Sequence, residues 1–225
     1  LSSSTPADNA TGIAENANIV LTFSLPVDVE SGNITIKKTS DNSTVETIAV
    51  TNSKVTGTGT TQITINPATT LGSLTEYYVL IDATGFDNSN SDSYAGISST
   101  TALSFTTGDN IAPSINSSSP GSPADNATGV AVDSNIVLNF AEAVDAESGN
   151  ITIHLTSDNS IVETIDVTGG QVSGSGTTQI TINPSNDLES ATEYYILIDA
   201  SAFDDSSGNS YAGISSTTTL SFTTA

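Results

Sequence analysis

The sequence contains no cysteine, methionine, tryptophan or arginine, and it has only one histidine and three lysines. Without cysteine the chain has no disulfides, no thiolate metal ligands and no cysteine nucleophile. No apolar run approaches the roughly 20 residues that a membrane-spanning helix needs, so we expect no membrane insertion. Carboxylate pairs remain as the side chains that could act in acid–base catalysis.

The charge of the chain is strongly one-sided, with 25 acidic residues and a formal net charge of −22. Residues 1–108 carry ten acidic residues and all three lysines, whereas residues 118–225 carry fourteen acidic residues and no lysine. Such a surface repels phosphate backbones and anionic lipid, which argues against nucleic-acid and membrane-surface partners. Cations would relieve the repulsion within the chain.

Most of the sequence is present twice, at an offset of 117 residues. The heptapeptide that begins at Pro6 returns at Pro123, and the Glu-Tyr-Tyr at Glu76 returns at Glu193, with no gap between them. About two-thirds of the aligned positions are identical. A duplication of this length predicts two domains of one fold, residues 1–108 and residues 109–225, the second of which begins with the linker.

The linker is expected to lead into the first strand of the second domain. Ile111, Pro113 and Ile115 make it too apolar for a loose tether, and proline is tolerated at the start or edge of a strand. Leu1 aligns with Ser118, so we expect the first edge strand of the first domain to be truncated. An open edge recruits strands, which makes other copies of the chain an expected partner.

Short apolar blocks bounded by turn residues predict an all-β fold. Ile19–Phe23 alternates in the manner of a half-buried strand, and no stretch has the 3.6-residue period of a helix. About seven such strands in each copy are typical of an immunoglobulin (Ig)-like antiparallel β-sandwich. The predicted first core is Ile19, Leu21, Phe23, Ile34, Ile36, Ile63, Ile65, Tyr77 and Phe105, and the second core lies 117 residues later.

Each copy has a tyrosine, Tyr77 or Tyr194, at the entry to a late strand. In a sandwich, a tyrosine at this place can turn inward and form a hydrogen bond with the upstream backbone. The remaining tyrosines considered for ligand binding are expected to face outward: Tyr78, Tyr94, Tyr195 and Tyr211.

The segment Pro123–Val130, the Ile-Val-Leu-x-Phe at Ile136 and the Ser-Gly-Asn-Ile-Thr-Ile at Ser148 resemble bacterial Ig-like repeats of the S-layer and giant surface adhesin type. Ser207-Gly208-Asn209 and the closing strand from Leu220 are also similar, and the resemblance covers nearly the whole chain twice. It implies a secreted or cell-surface protein whose partners include neighbouring repeats of the same protein. The first copy departs at Asn90-Ser91-Asp92, where the second has Ser-Gly-Asn.

The only histidine, His154, is a candidate for a general base, and Lys37 takes its place in the first copy. Because Ile151 and Ile153 alternate with it and face inward, we expect His154 to be an ordinary surface histidine on the outer face. Carboxylate pairs are the other groups that could do acid–base chemistry, but in loops rich in serine and glycine such pairs are more often solvated or cation-bound than catalytic. We therefore expect no enzymatic activity.

Acidic loops predict calcium sites, because calcium binds six to eight oxygens of carboxylates, amides and carbonyls on adaptable loops. In an Ig topology the B–C and F–G loops emerge at the pole where the preceding domain attaches. The candidate ligands of the linker and second copy are Asp109, Asn110, Asp145, Glu147, Asp199, Asp204, Asp205 and Asn209. Those of the first copy are Asp28, Glu30, Asp82, Asp87, Asn88 and Asp92.

Three functions remain open at this point. The leading hypothesis is a calcium-stiffened stalk or spacer of a surface adhesin, since spacers need repetition and a binding site does not. The alternatives are an adhesive module that binds carbohydrate or protein, and a self-assembling filament or S-layer subunit. Acidic residues that only keep a secreted surface in solution would account for the loops equally well.

Overall fold

The protein is described by a computed structural model that covers all residues, 1–225. It contains twenty β-strands and no helix, so there is no helix that could cross a membrane. The chain divides into two units, Leu1–Asn110 and Ile111–Ala225. The division falls two residues after Gly108, the predicted end of the first domain.

Each unit contains ten strands. Those of the first unit are β1 (Ser3–Thr5), β2 (Ala10–Ile13), β3 (Ile19–Val29), β4 (Asn33–Lys38), β5 (Thr44–Ala49), β6 (Val55–Thr56), β7 (Thr60–Ile65), β8 (Glu76–Ile81), β9 (Phe86–Asn88) and β10 (Ser104–Thr107). Those of the second unit are β11 (Gly121–Ser122), β12 (Ala127–Val130), β13 (Ile136–Ala146), β14 (Asn150–Leu155), β15 (Ile161–Asp166), β16 (Val172–Ser173), β17 (Thr177–Ile182), β18 (Glu193–Ile198), β19 (Phe203–Asp204) and β20 (Ser221–Thr224).

The strands of each unit form two sheets with the same order. In the first unit one sheet has the order β1-β3-β7-β6, with β9 also paired to β3, and the other has the order β2-β10-β8-β4-β5. The second unit repeats both sheets strand for strand, from β11 to β20. Only β2 with β10 and β12 with β20 are parallel pairs. The prediction of two Ig-like antiparallel sandwiches is confirmed.

A separate hydrophobic core fills each unit. Alternate residues of β3 and β7 face each other across the ladder, with Ile19 opposite Ile65 and Leu21 opposite Ile63. Every residue predicted for the first core is at most 6% exposed, and the equivalent residues of the second are at most 3% exposed. The two buried clusters share no residue, so the prediction of two cores is confirmed. Each such buried aliphatic side chain stabilises its unit by about 1.5–3 kcal/mol.

The predicted inward tyrosine is also confirmed in both units. The backbone N–H of Gly72 donates to the Tyr77 hydroxyl oxygen at 2.7 Å, and the N–H of Glu189 donates to that of Tyr194 at 2.9 Å. Both rings lie in the core and are about 1% exposed. Each tyrosine therefore ties the chain before its strand to the interior of the sandwich.

The chain that follows the division runs along an edge of the second unit, as predicted. Ile115 forms a β-bridge with Phe140, and the N–H of Ala141 donates to the Ser114 carbonyl at 2.8 Å. The segment continues into β11, which pairs with the same strand, β13. The entry to the second unit therefore lies beside the half of β13 that leads to its B–C loop.

The prediction that His154 is an ordinary surface histidine is wrong. The residue lies on the outer face of its sheet, but it is only 9% exposed because its ring stacks on Tyr195, with centroids 4.8 Å apart and planes 8° apart. Its Nδ1 lies 3.3 Å from the Asn159 carbonyl and its Nε2 lies 2.9 Å from the Thr152 hydroxyl. Because a carbonyl only accepts, we assign the imidazole proton to Nδ1.

The prediction of outward tyrosines is also wrong: a turn covers Tyr78 and Tyr195, whereas Tyr94 and Tyr211 pack against phenylalanines of the core. Tyr78, Tyr195 and Tyr211 are 3%, 4% and 7% exposed, and Tyr94 is half-buried. The hydroxyl of Tyr78 donates to the Asn42 side chain at 3.0 Å, in the turn that covers this face. Alternation along a strand identifies the face of a residue, but a turn folded over that face decides its exposure.

We predict that Tyr77→Phe and Tyr194→Phe each lower the free energy of unfolding of their own unit by about 1 kcal/mol. Each change removes one hydrogen bond and leaves the ring packed. Alanine at either position should cost several times more through the cavity that it leaves. Urea unfolding, followed through resolved NMR signals of each unit, measures both effects. A phenylalanine variant as stable as the parent protein would contradict the anchoring role.

Candidate functional site

The B–C and F–G loops lie side by side at one end of each unit. In the second unit Ala146 is paired with Phe203, and the N–H of Glu147 donates to the Ala202 carbonyl at 3.0 Å. In the first unit the N–H of Glu30 donates to the Gly85 carbonyl at the same distance, 3.0 Å. Both glutamates lie at exposed positions in these loops. Short β-pairing therefore holds the two acidic loops together.

In each unit two aspartates face each other on the paired strands. Asp145 of β13 is the ladder partner of Asp204 of β19, and Asp28 is the partner of Asp87 in the first unit. Directly opposed side chains in a sheet approach closely, and like charges at such positions are destabilising. Both copies nevertheless keep two carboxylates at this place.

The hydrogen bonds of this aspartate pair are incomplete in the second unit. The Ser175 hydroxyl donates to Asp145 Oδ1 at 3.3 Å, as the Thr58 hydroxyl donates to Asp28 Oδ1 at 3.2 Å. The Oδ1 atom of Asp204, however, is buried without a hydrogen-bond partner. A buried acceptor left in this state costs about 1–3 kcal/mol. A cation would give this oxygen a partner and reduce the repulsion within the pair.

Two other predicted ligands have a structural task. The Oδ2 atoms of Asp82 and Asp199 accept the backbone N–H of Asn33 and of Asn150, each at 2.8 Å. The glycine before each asparagine has a φ near +116°, a conformation that other residues rarely adopt. These aspartates therefore hold the turn between the B–C loop and the next strand.

The remaining predicted ligands close the F–G loop by a side-chain pair. In the first unit the Asn88 amide donates to Asp92 Oδ2 at 3.0 Å, and in the second the Asn209 amide donates to Asp205 Oδ2 at 2.8 Å. The amide and the carboxylate have thus exchanged places between the copies. The N–H groups of the loop donate to the first member in both cases, to Asn88 from Asp92 and to Asp205 from Asn209.

The carboxylate of Asp205 is enclosed by its own loop. Burial raises the pKa of Asp205, but hydrogen bonds from the Asn209 side chain and from the N–H groups of Asn209, Ser207 and Gly208 outweigh it and leave the pKa below its usual value. The residue is 6% exposed. Its oxygens serve to close the loop, and so do those of Asp92 in the first unit.

The linker residues Asp109 and Asn110 make hydrogen bonds within the first unit. The Ser73 hydroxyl lies 3.3 Å from Asp109 Oδ1, and the Asn110 side chain donates to Glu15 Oε2 at 2.7 Å. Five residues along the chain, Ser114 is bonded to β13, and five residues of extended chain span at most about 18 Å.

Within neither unit do three acidic side chains place carboxylate oxygens within 4.8 Å of one another. The predicted ligands of each unit therefore form three separate groups: the cross-strand pair, the turn aspartate and the loop-closing pair. A cation at one of these groups would take its further ligands from amide and carbonyl oxygens or from water.

The sequence analysis missed a carboxylate that anchors a loop in each unit. Glu46 forms a salt bridge of 2.6 Å with Lys54 and accepts the N–H groups of Ala68 and Thr69. Burial raises the pKa of Glu46, but the hydrogen bonds from Lys54 and from these N–H groups lower it further, to below its usual value. In the second unit Glu163 accepts from Gln171 and from the N–H of Ser185. Both copies have this glutamate, whereas Lys54 of the first copy is replaced by Gln171 in the second. This pattern was the signal for the anchoring role that the sequence offered.

The fold and these loops define a tandem Ig-like module. Both copies match the model of the family described as the bacterial Ig-like domain, over residues 1–107 and 109–224. The chain belongs to this family, so the resemblance seen in the sequence is confirmed. No curated protein sequence matches the chain.

The solved structures that the chain matches are distant in sequence. They include the BSP domain of a biofilm associated protein (18% identity, TM-score 0.23, 96% of this chain and 28% of that one). Another is the N-terminal part of the bacterial S-layer protein SbsC (14% identity, TM-score 0.33, 80% of this chain and 43% of that one). A third is a tandem of titin Ig domains (11% identity, TM-score 0.27, 96% of this chain and 92% of that one).

The chain thus spans less than half the length of the first two structures. Its assignment to the family rests on the sequence match and not on these structures.

We predict that the loop-closing pair tolerates exchange but not loss. Asn88→Asp removes the amide donor and sets a second carboxylate against Asp92, which should destabilise the first unit by about 1–2 kcal/mol. Adding Asp92→Asn recreates the arrangement of the second unit and should recover most of that loss. Urea unfolding of the two single variants and the double variant gives the coupling energy. Additive effects of the two changes would contradict a direct pair.

Proposed function

We propose that the two domains are spacer modules of a bacterial surface protein, exported from the cell and without enzymatic activity. The observation that carries this proposal is that both units have the same strand order, with the same anchoring hydrogen bonds. A spacer needs modules of one shape, so selection on a spacer maintains the elements that build the sandwich. The core positions, the inward tyrosine and the turn aspartate are such elements, and both copies have them.

The alternative of a carbohydrate-binding module finds no support in the aromatic side chains. Sugar sites commonly present exposed aromatic rings, but the large hydrophobic residues that are exposed here are all aliphatic. Tyr94 and Tyr211 pack edge-on against Phe23 and Phe140, with ring centroids 5.3 Å and 5.1 Å apart. The single histidine is enclosed in its stack on Tyr195, which also favours a structural role.

Calcium is the second part of the proposal. The opposed carboxylates of Asp145 and Asp204, together with the buried and unpartnered Oδ1 of Asp204, support a cation at this pole of the second unit. Asp109 and Asn110 precede the entry segment beside β13 and could contribute oxygens, since only four residues separate Asp109 from Ser114. A cation held by both the linker and the loops would restrict the joint between the domains. Extracellular calcium is millimolar, which suits a weak site.

We predict that calcium raises the melting temperature of the protein relative to chelator. A calcium concentration ten times the Kd stabilises the folded state by about 1.4 kcal/mol, which for a domain of this size is a shift of several degrees. Asp109→Ala combined with Asp145→Ala should remove the shift. Asp133→Ala is the matched control, because this exposed aspartate lies before the other end of β13.

Stiffening is measured separately by spin labels. The chain has no cysteine, so Ser53→Cys and Thr178→Cys, at one exposed position in each unit, accept labels specifically. Calcium should narrow the distribution of distances between the labels in the parent protein and in the Asp133→Ala variant. It should leave the distribution unchanged in the variant that combines Asp109→Ala with Asp145→Ala. Identical melting curves and distance distributions in calcium and chelator would contradict the calcium part and leave the spacer proposal standing.

A further inference from the structure

A small apolar cavity opens on the surface of the second unit. Its volume is about 130 Å³. Leu138, Ile214 and Leu220, all core residues, line it, while Pro120 and Thr219 contribute from exposed positions. A core cavity of about 150 Å³ lined by aliphatic and aromatic side chains is known to bind benzene. The cavity is therefore large enough for one six-membered ring.

Tyr211 gives this cavity a polar group. The residue is 7% exposed, it lines the cavity, and its ring packs edge-on against Phe140. Burial raises the pKa of this hydroxyl, so it remains protonated at neutral pH. A protonated phenol can donate a hydrogen bond to a polar group on a ligand or accept one from it.

Asp125 supplies a fixed negative charge among the residues that line the cavity. Its Oδ1 accepts the N–H of Ser221 at 3.0 Å and the Ser221 hydroxyl at 3.2 Å, and its Oδ2 accepts from the Asn126 side chain at 2.7 Å. These bonds hold the carboxylate in place, although the residue is exposed. The surrounding copy has fourteen acidic residues and no lysine, so its field attracts cations.

We propose that this cavity binds a small aromatic amine: a single ring in the apolar floor, with an ammonium group near Asp125. The apolar floor selects the ring, and the carboxylate together with the field of the unit selects a positive over a neutral or negative substituent. The site is a property of the second unit and does not depend on calcium or on the spacer role.

The first unit provides a control within the same molecule. Asp8 holds Ser104 just as Asp125 holds Ser221, with bonds of 2.9 Å and 3.1 Å to Oδ1. The polar Ser3, however, replaces Pro120 in the rim. The charge is thus repeated while the proline of the rim is not, and we expect the first unit not to bind the ring.

The test is an NMR titration of the full chain with benzylamine, benzyl alcohol and benzoate at one ionic strength. Benzylamine should shift the signals of Ile214 and Leu220 in a saturable way, with a Kd in the millimolar range. Benzyl alcohol should bind about tenfold more weakly, and benzoate should leave the signals unchanged. The signals of Ile97 and Leu103, the counterparts in the first unit, should stay in place throughout.

Asp125→Asn separates the charge from the cavity, because an amide oxygen can still accept from Ser221. This variant should bind benzylamine no better than benzyl alcohol, whereas the matched Asp8→Asn should leave the preference intact. The proposal is overturned if benzylamine shifts no signal of the second unit, shifts both units equally, or binds no better than benzoate. The order of affinity of the three probes for the parent protein tests the proposal even if Asp125→Asn does not fold.

Discussion

Burial of one apolar face from each of two sheets is the interaction on which every other feature of these units depends. Alternate residues of strands such as β3 and β7 meet across the ladder, and both sheets contribute to one cluster in each unit. Because the two clusters share no residue, each copy contains all that its sandwich requires. The tyrosine anchor and the turn aspartate only fix how the connecting segments join this frame.

The acidic residues on this frame fall into different physical classes. Carboxylates such as Asp199, Asp205 and Glu163 accept hydrogen bonds from the neighbouring backbone and side chains, so their negative charge is stabilised within the unit. In the cross-strand pair, Asp145 accepts a hydrogen bond from the Ser175 hydroxyl, but the Oδ1 atom of Asp204 is buried and has no partner. The number of acids in a loop therefore says less about cation binding than the hydrogen bonds that each of them already makes.

The repeat made most of the fold predictable from the sequence. The alternation of Ile19–Phe23 identified core residues, and the position of Tyr77 after Leu71 identified its hydrogen bond to the upstream backbone. Both features depend on local sequence. The low exposure of His154 and Tyr195 was not predicted, because the turn between β14 and β15 folds back over their face and alternation along a strand does not reveal this.

The candidate site was less predictable than the fold. Proximity of the acidic loops follows from the topology, but the bonds within each loop depend on side-chain geometry. The exchange of amide and carboxylate between positions 88 and 92 and positions 205 and 209 was visible in the alignment of the copies. It could be understood as a closing pair only once the two side chains were seen in contact.

The independence of the two cores is tested most directly by a cavity placed in one of them. Ile63→Ala removes a fully buried side chain of the first unit, which should cost about 2–5 kcal/mol. Urea unfolding followed through NMR signals of both units should show the midpoint of the first unit falling while that of the second stays unchanged. Ile180→Ala should give the reverse pattern. Midpoints that move together in either variant would contradict two self-contained sandwiches.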